Sequence, residues 1–315
     1  MAVNAATARG TSAAPRRRGP RRAPSRARWT GWAFVAPFLA VFVFALIVPI
    51  GYAIYLSLYR QELIGGNAFV GLGNYSTALS DPQFWASVRR VLLFLVVQVP
   101  IMTVLALLAA LALDSARLRW APLYRLSIFL PYAVPAVVAS FMWGFMYGTQ
   151  FGLVAKVRSL LHGHFPDPLS SNWVLASIGN VVTWEFVGYN MLIFYSALRA
   201  VPRELYEAAE IDGANQYSLI RWIKLPALRV AIIVSLVFSV IGSVQLFNEP
   251  NILSQLSPDT IPSNFTPNMY AYNLSFAGQE YNYSAAIAII MGILTVIIAA
   301  LVQWYGQRTA RKGMA

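Results

Sequence analysis

Glu204, Glu207, Glu210 and Asp212 fall together between Pro202 and Gly213, the densest charge in the chain outside its N-terminal segment. The three glutamates recur every third residue, so a helix places them on one face. Leu205, Ala208, Ala209 and Ile211 take most of its remaining surface. Such an acidic stripe can pair with arginines of another protein, and the two alanines permit close approach. Pro202 suits a first helical turn, where its missing N–H would be unpaired anyway. Gly213 is free to take the left-handed conformation that ends a helix. Asn215 can cap a second short helix, which Leu225-Pro226 would close. The plain alternative is a solvated loop with ordinary caps.

Other chemistries lack their residues. There are no cysteines, which removes disulfides, thiolate zinc sites and thiol nucleophiles. The two histidines, His162 and His164, form an H-x-H pair with no third ligand nearby, so no metal is expected. None of the three lysines follows a glycine, which excludes a P-loop for ATP. No G-x-S-x-G or H-E-x-x-H occurs. Glu185 is the sole acid expected deep in an apolar segment, and a proton relay usually needs more partners. No inverted repeat is evident, which argues against a secondary transporter.

The elements that must position the acidic stripe are membrane spans. Of 315 residues, 58% are hydrophobic and 11% charged, against roughly 25% charged in soluble domains. With about 20 apolar residues needed per crossing, six spans are expected at 31–58, 88–113, 122–147, 173–198, 228–248 and 283–305. The expected fold class is all-α, a polytopic membrane protein with six transmembrane helices. Pro131 and Pro135 should break the third span. Asn180, Trp184, Glu185 and Asn190 mark the fourth as facing protein or a wet cavity.

Residues 1–29 carry Arg9, Arg16, Arg17, Arg18, Arg21, Arg22, Arg26 and Arg28 among Ala, Pro and Ser, a composition expected to be disordered. It reads as a topology-setting cytoplasmic tail rather than a nucleic-acid arm. The apolar run that follows is too long for the h-region of a signal peptide. Lys and Arg cluster on alternate connections, among them Arg117, Arg119, Arg125, Arg199, Arg203, Arg221, Lys224 and Arg229. The connection 249–282 has none. That bias puts both termini and the 199–227 loop in the cytoplasm. The outer connections are turn-rich near Gly65-Gly66, polar around His162 and His164, and long and polar over 249–282. A polar segment of that length with no core of its own is expected to contact a partner.

The run Glu207-Ala208-Ala209, Gly213, then Ile223-x-Leu225-Pro226, resembles the cytoplasmic EAA loop of inner-membrane permease subunits of binding-protein-dependent ABC importers. The flanks from Val201 to Ala214 look like the carbohydrate branch, the maltose and glycerol-phosphate permease type. Gly71-Leu72-Gly73-Asn74-Tyr75, Phe129-Leu130-Pro131 and Ser284-Ala285-Ala286 are supporting matches, so the resemblance covers residues 31–307. It implies a type I importer permease fold over 30–307, between the tail 1–29 and a cytoplasmic C-terminal tail 308–315. It also implies a second permease subunit in a heterodimer, two cytoplasmic ATPase subunits and an extracytoplasmic solute-binding protein, in a bacterial-type cell membrane. This chain would be no enzyme and bind no cofactor or nucleic acid; ATP and Mg would sit on the ATPases. Glu204, Glu207, Ala208, Ala209, Glu210, Asp212, Gly213, Ile223, Leu225 and Pro226 would form the ATPase-coupling surface. The family's Thr-Gly-Gly-Pro-type turn after span five is absent here, where Phe247 to Gln255 reads without glycine.

A sugar pathway needs hydrogen-bonding side chains and aromatic rings at membrane depth. Asn180, Trp184, Glu185, Tyr189, Asn190, Gln245 and Asn248 are the candidates, with mutual pairing across the bundle as the competing explanation. A permease for a phosphorylated polyol or peptide, and a membrane-embedded transferase, are the alternatives in function.

Overall fold

The structure, a computed structural model, describes residues 25–62, 66–115, 118–162 and 165–312. Most of the expected tail 1–29, together with Gly65, Arg117, His164 and the end of the C-terminal tail, lies outside the described residues. Two units are distinguished, residues 1–52 and 53–315. Helix α1 (Ser25–Phe42) begins inside the segment expected to be disordered. A π-helical turn, Val43–Ile47, leads into α2 (Val48–Ser57). In that turn the Val48 N–H bonds back to the Val43 carbonyl. The widened turn precedes Pro49, whose ring and missing N–H disturb a regular α ladder.

In the second unit, the end of α2 is followed by an antiparallel hairpin, β1 (Tyr59–Glu62) and β2 (Gly66–Phe69), in register Tyr59 with Phe69. It lies where only a turn-rich segment was expected. Asn74, at the start of α3 (Gly73–Ser80), donates to the Ser57 and Tyr59 carbonyls at 2.9 and 2.7 Å. The Gly-Leu-Gly-Asn-Tyr motif is thus a clip on the end of α2 and the start of β1.

Helix α4 (Pro82–Leu113) starts six residues before the expected 88, because Asp81 caps it at the Gln83 N–H and Pro82 occupies its first turn. The third span is broken: α5 (Ala121–Phe129) passes through the 3-10 turn Leu130–Ala133 and meets α6 (Ala136–Tyr147) at 98°. A Cβ at Gly188 would collide with the Ile128 carbonyl, so the glycine lets the fourth span abut this break. Helix α7 (Leu153–Leu160) leads to α8 (Val174–Arg199), the fourth span. Then follow α9 (Arg203–Ile211), α10 (Gln216–Leu219) and α11 (Leu225–Val244), with α12 (Asn248–Leu253), α13 (Pro267–Phe276) and α14 (Tyr281–Lys312) completing the chain. Among the described residues, five helices are long and apolar enough to cross a membrane, six if the bent pair is one span. The fold is an α-helical polytopic membrane protein with one small hairpin.

Helix α8 is central, touching α4, α5, α6, α11 and α12. Toward its C-terminal end, Met191, Phe194 and Leu198 pack on Ala106, Ala110, Leu113 and Leu228. Toward its N-terminal end, Val174, Ile178 and Val181 join Leu253, Ile261, Phe265 and Met269. That second cluster corrects the expectation for 249–282. The segment has buried apolar residues of its own and is tied down. Asp81 Oδ2 accepts from the Tyr270 and Tyr283 hydroxyls at 2.6 and 3.0 Å. The Arg90 guanidinium donates to the Asn264 carbonyl at 3.2 Å and lies over the Phe265 ring. Tyr270 and Tyr283 therefore bond a carboxylate instead of merely marking the membrane surface.

Candidate functional site

Two polar regions contain the sequence-predicted residues. The first is the α9–α10 loop. Pro202 is the N-cap rather than the first helical residue, and α9 ends at Ile211 with Asp212 as C-cap. Gly213 has φ +79°, its N–H bonds to the Glu210 carbonyl at 3.1 Å, and the Ala214 N–H reaches Ala209 at 2.9 Å. This is a Schellman closure, which requires the left-handed residue that glycine supplies. Asn215 Oδ1 accepts from the Ser218 N–H at 2.9 Å, capping α10. The second helix is not closed at Leu225-Pro226. A π-helical turn, Ile220–Lys224, carries the chain from α10 into α11, with the Leu225 N–H on the Ile220 carbonyl and Pro226 in the first turn of α11. The wide turn accommodates the proline, as it does before Pro49.

Glu204, Glu207, Glu210 and Asp212 are all exposed, and none is in an ion pair among the described residues. Apolar side chains stand out beside them: Ile211 is 86% and Trp222 72% exposed, and Leu205 and Tyr217 are also exposed. Ala208 is exposed and Ala209 half-buried; Ile223, Leu225 and Pro226 are half-buried. The loop thus carries acids without partners and apolar groups without cover. Behind it lies a cavity of about 910 Å³ lined by Asp114, Arg199, Arg203, Tyr206, Glu207, Glu210 and Lys224 among others.

The second region is the interior of α8, where the polar side chains have mostly found partners. Asn180 Nδ2 donates to the Tyr147 hydroxyl at 2.8 Å, and that hydroxyl donates to the Ser177 carbonyl at 3.0 Å. Asn190 accepts from Ser235 Oγ of α11 at 2.5 Å and donates to the Phe186 carbonyl. Tyr189 stacks on Tyr132 with centroids 4.9 Å apart, and Trp184 meets Trp143 edge-on at 6.0 Å. Glu185 is the exception. It is 3% exposed, and neither carboxyl oxygen meets an amide, hydroxyl or cationic donor. Beside it lies a second buried acid, Glu249 of α12, close enough for the two carboxyls to share a hydrogen bond. Gln245 and Asn248 are exposed where α11 gives way to α12. Interior and loop are separate regions: Asn180, Trp184, Glu185, Tyr189 and Asn190 lie within α8, and the acidic loop follows its C-terminal end.

Sequence reasoning missed Glu249, Tyr147, Ser235, Tyr206 and the ion pair of Lys224 with Asp114. Lys224 was visible as the variable residue inside Ile223-x-Leu225-Pro226, and Asp114 as the only acid between Asp81 and Asp167. Their pairing had no local signal. His162 is exposed.

Helix-rich, membrane-spanning and closed at one end by an acid-bearing helical loop, the chain is built as a permease. It belongs to the family of binding-protein-dependent transport system inner membrane components, whose sequence profile matches residues 77–311. The lactose transport system permease protein LacF of Rhizobium radiobacter is 32% identical over 290 residues, covering 88% of this chain and 94% of that one. The arabinooligosaccharides transport system permease protein AraP of Bacillus subtilis strain 168 is 30% identical, covering 88% and 92%. In fold, the chain matches one from a bacterial alginate ABC transporter in complex with its alginate pentasaccharide-bound periplasmic protein. The TM-score is 0.80 at 19% identity, covering 90% of this chain and 96% of that one. The chain is a multi-pass membrane component of an ABC importer, with the type I permease fold, and its relatives are transport permeases rather than enzymes.

Proposed function

We propose that this chain forms half of the translocation pathway for a saccharide, delivered by an extracytoplasmic binding protein and driven by separate ATPase subunits. The observation that carries the reading is the state of α9: a rigidly capped helix whose three glutamates, with the C-cap Asp212, form no ion pair among the described residues, and beside which Ile211 and Trp222 are exposed. An isolated loop gains nothing from uncovered apolar side chains, whereas a docking face needs them, ringed by charge. The naming of relatives for lactose and arabinooligosaccharides supports a saccharide as the solute.

In this reading, α9 and α10 are the seat for a cytoplasmic ATPase, both termini share that side, and a different permease chain completes the pathway. ATP and Mg belong to the ATPases. Trp184, Glu185, Gln245 and Asn248 are the pathway residues of first choice, because Asn180 and Asn190 are held by other side chains. Closure of the ATPase dimer moves the loop and reorients the spans attached to it.

The test is Gly213→Val in cells expressing the complete importer. No atom lies within 4 Å of a Cβ built at Gly213, so the effect of valine is backbone strain of order 1–3 kcal/mol. Uptake of the saccharide identified with the binding protein should be abolished, and the ATPase should co-purify poorly. Normal uptake and association would sink the coupling reading.

A further inference from the structure

Three elements distant in sequence meet at one buried point beside the coupling loop. Lys224 Nζ lies 2.6 Å from Asp114 Oδ2, with the two side chains 9% and 11% exposed. This is the only ion pair among the described residues. Asp114 is the C-cap of α4, where the carbonyl ends of the helix dipole oppose a carboxylate. The acid is therefore at a place that disfavours it unless a cation is supplied. Lys224 supplies it from the last position of the π-helical turn Ile220–Lys224, a conformation found often at functional sites. Tyr206 of α9 is the third member. Its ring lies under Lys224 Nζ at 5.7 Å, and its hydroxyl is buried without a partner. Burial and then the Asp114 charge push the phenol up from its ordinary value.

A buried ion pair is weak evidence for a stability role, since apolar replacements are often neutral or better. The surroundings of this one suggest a mechanical role. Otherwise α4 meets α8 and α11 near this end through Ala106, Ala110 and Leu113 against Met191, Phe194, Leu198 and Leu228. Smooth apolar faces of that kind allow helices to shear past one another. The loop is joined covalently to α8 and α11 but not to α4, and Asp114 and Lys224 are 110 residues apart. Their charge-assisted bond is directional and resists sliding.

We propose that Asp114, Lys224 and Tyr206 form the joint that carries displacement of α9 into α4, so that the second span moves with the coupling loop. Asp114 and Lys224 are positioning residues for ATP-driven transport, and the proposal rests on reading α9 as the ATPase seat.

The absence of cysteine from this chain makes a distance measurement direct. Spin labels on cysteines introduced at Ser115 and at Arg203, an exposed α9 position outside the acidic stripe, report the separation of α4 from α9 in the assembled importer, its partner subunits freed of their own cysteines. The separation is read without nucleotide and after trapping with ATP, Mg and vanadate. It should stay constant in the parent, while labels from α9 to an ATPase subunit shift. In Asp114→Leu/Lys224→Met, an apolar pair chosen to fold, the α4–α9 separation should change by about 2 Å or more between states. ATP hydrolysis should continue but yield about tenfold less uptake per ATP. The reversed pair Asp114→Lys/Lys224→Asp should restore the constant separation. A parent in which α4 and α9 separate on trapping overturns the joint, as does an apolar pair in which they do not. Should the apolar pair fail to assemble, the parent measurement alone decides. No co-purifying ATPase with the parent would instead sink the coupling reading, and the joint with it.

Discussion

Helix α8 and helix α9 follow one another in the chain and both carry polar residues among small and apolar ones, yet they use them oppositely. In α8 the amides are consumed internally, Asn180 by Tyr147 and Asn190 by Ser235. In α9 the acids are exposed and form no ion pair among the described residues. The difference follows from solvent. A buried amide without a partner costs about 1–3 kcal/mol, so the bundle interior selects arrangements that satisfy it. Exposed carboxylates are hydrated at no cost and remain available for a partner's cations. The amides of α8 thus serve the fold, while the acids of α9 stay open to solvent. Glu185 breaks the pattern from inside α8, being buried against a second acid, Glu249, rather than against an amide or a cation.

The contrast can be tested from its strongest side downward. Reversing the α9 stripe with Glu204→Arg/Glu207→Arg/Glu210→Arg should cost the permease–ATPase contact about 3 kcal/mol or more, a hundredfold in affinity. Thermal unfolding of the isolated permease should hardly move. A large fall in melting temperature would mean that the stripe serves this chain's own fold.

Within α8, paired and unpaired groups should separate by readout. Asn190→Ala strands the Ser235 hydroxyl and should lower stability by about 1–3 kcal/mol in detergent unfolding, with uptake per folded molecule retained. Glu185→Gln keeps shape and should leave stability within about 1 kcal/mol while reducing uptake. Were Asn190→Ala stable but inactive, or Glu185→Gln fully active, the division between structural and pathway residues would fail.

The smallest effect belongs to Asp81, the clamp on the 249–282 segment. Burial raises its carboxyl, but hydrogen bonds from Tyr270, the Gln83 N–H, Tyr283 and the Phe84 N–H together outweigh this and hold it below its ordinary 3.8. Burial, then the Asp81 hydrogen bond and charge, push Tyr270 up to about 12. With a carboxyl depressed on folding, the stabilisation is present above the unfolded value and lost as pH falls through the folded one. Stability should therefore fall below about pH 4 in the parent. In Asp81→Asn that component of the acid sensitivity should be absent, as followed by unfolding across pH 3–6.

Much of the loop was legible because its signals are local. Gly213 and Asn215 act within their own turns, and the every-third-residue glutamates needed only the helical period. Pro226 was misread as a stop because the sequence does not announce a π-helical turn. The broken third span was legible in Pro131 and Pro135, although Gly188, which lets α8 approach the break, acts from far away. The 249–282 segment looked coreless because Leu253, Ile261, Phe265 and Met269 are scattered among polar residues. They become a core only against α8.

By itself, the sequence determined the membrane class, the break in the third span and the local turns of the 202–215 loop. Each depends on composition or on spacing within a few turns. Only the tertiary structure decided which polar groups remain unspent. Tyr270 finds Asp81 across 189 positions and Lys224 finds Asp114 across 110. Those pairings depend on which helix faces meet, and burial then makes each partner choice energetically decisive.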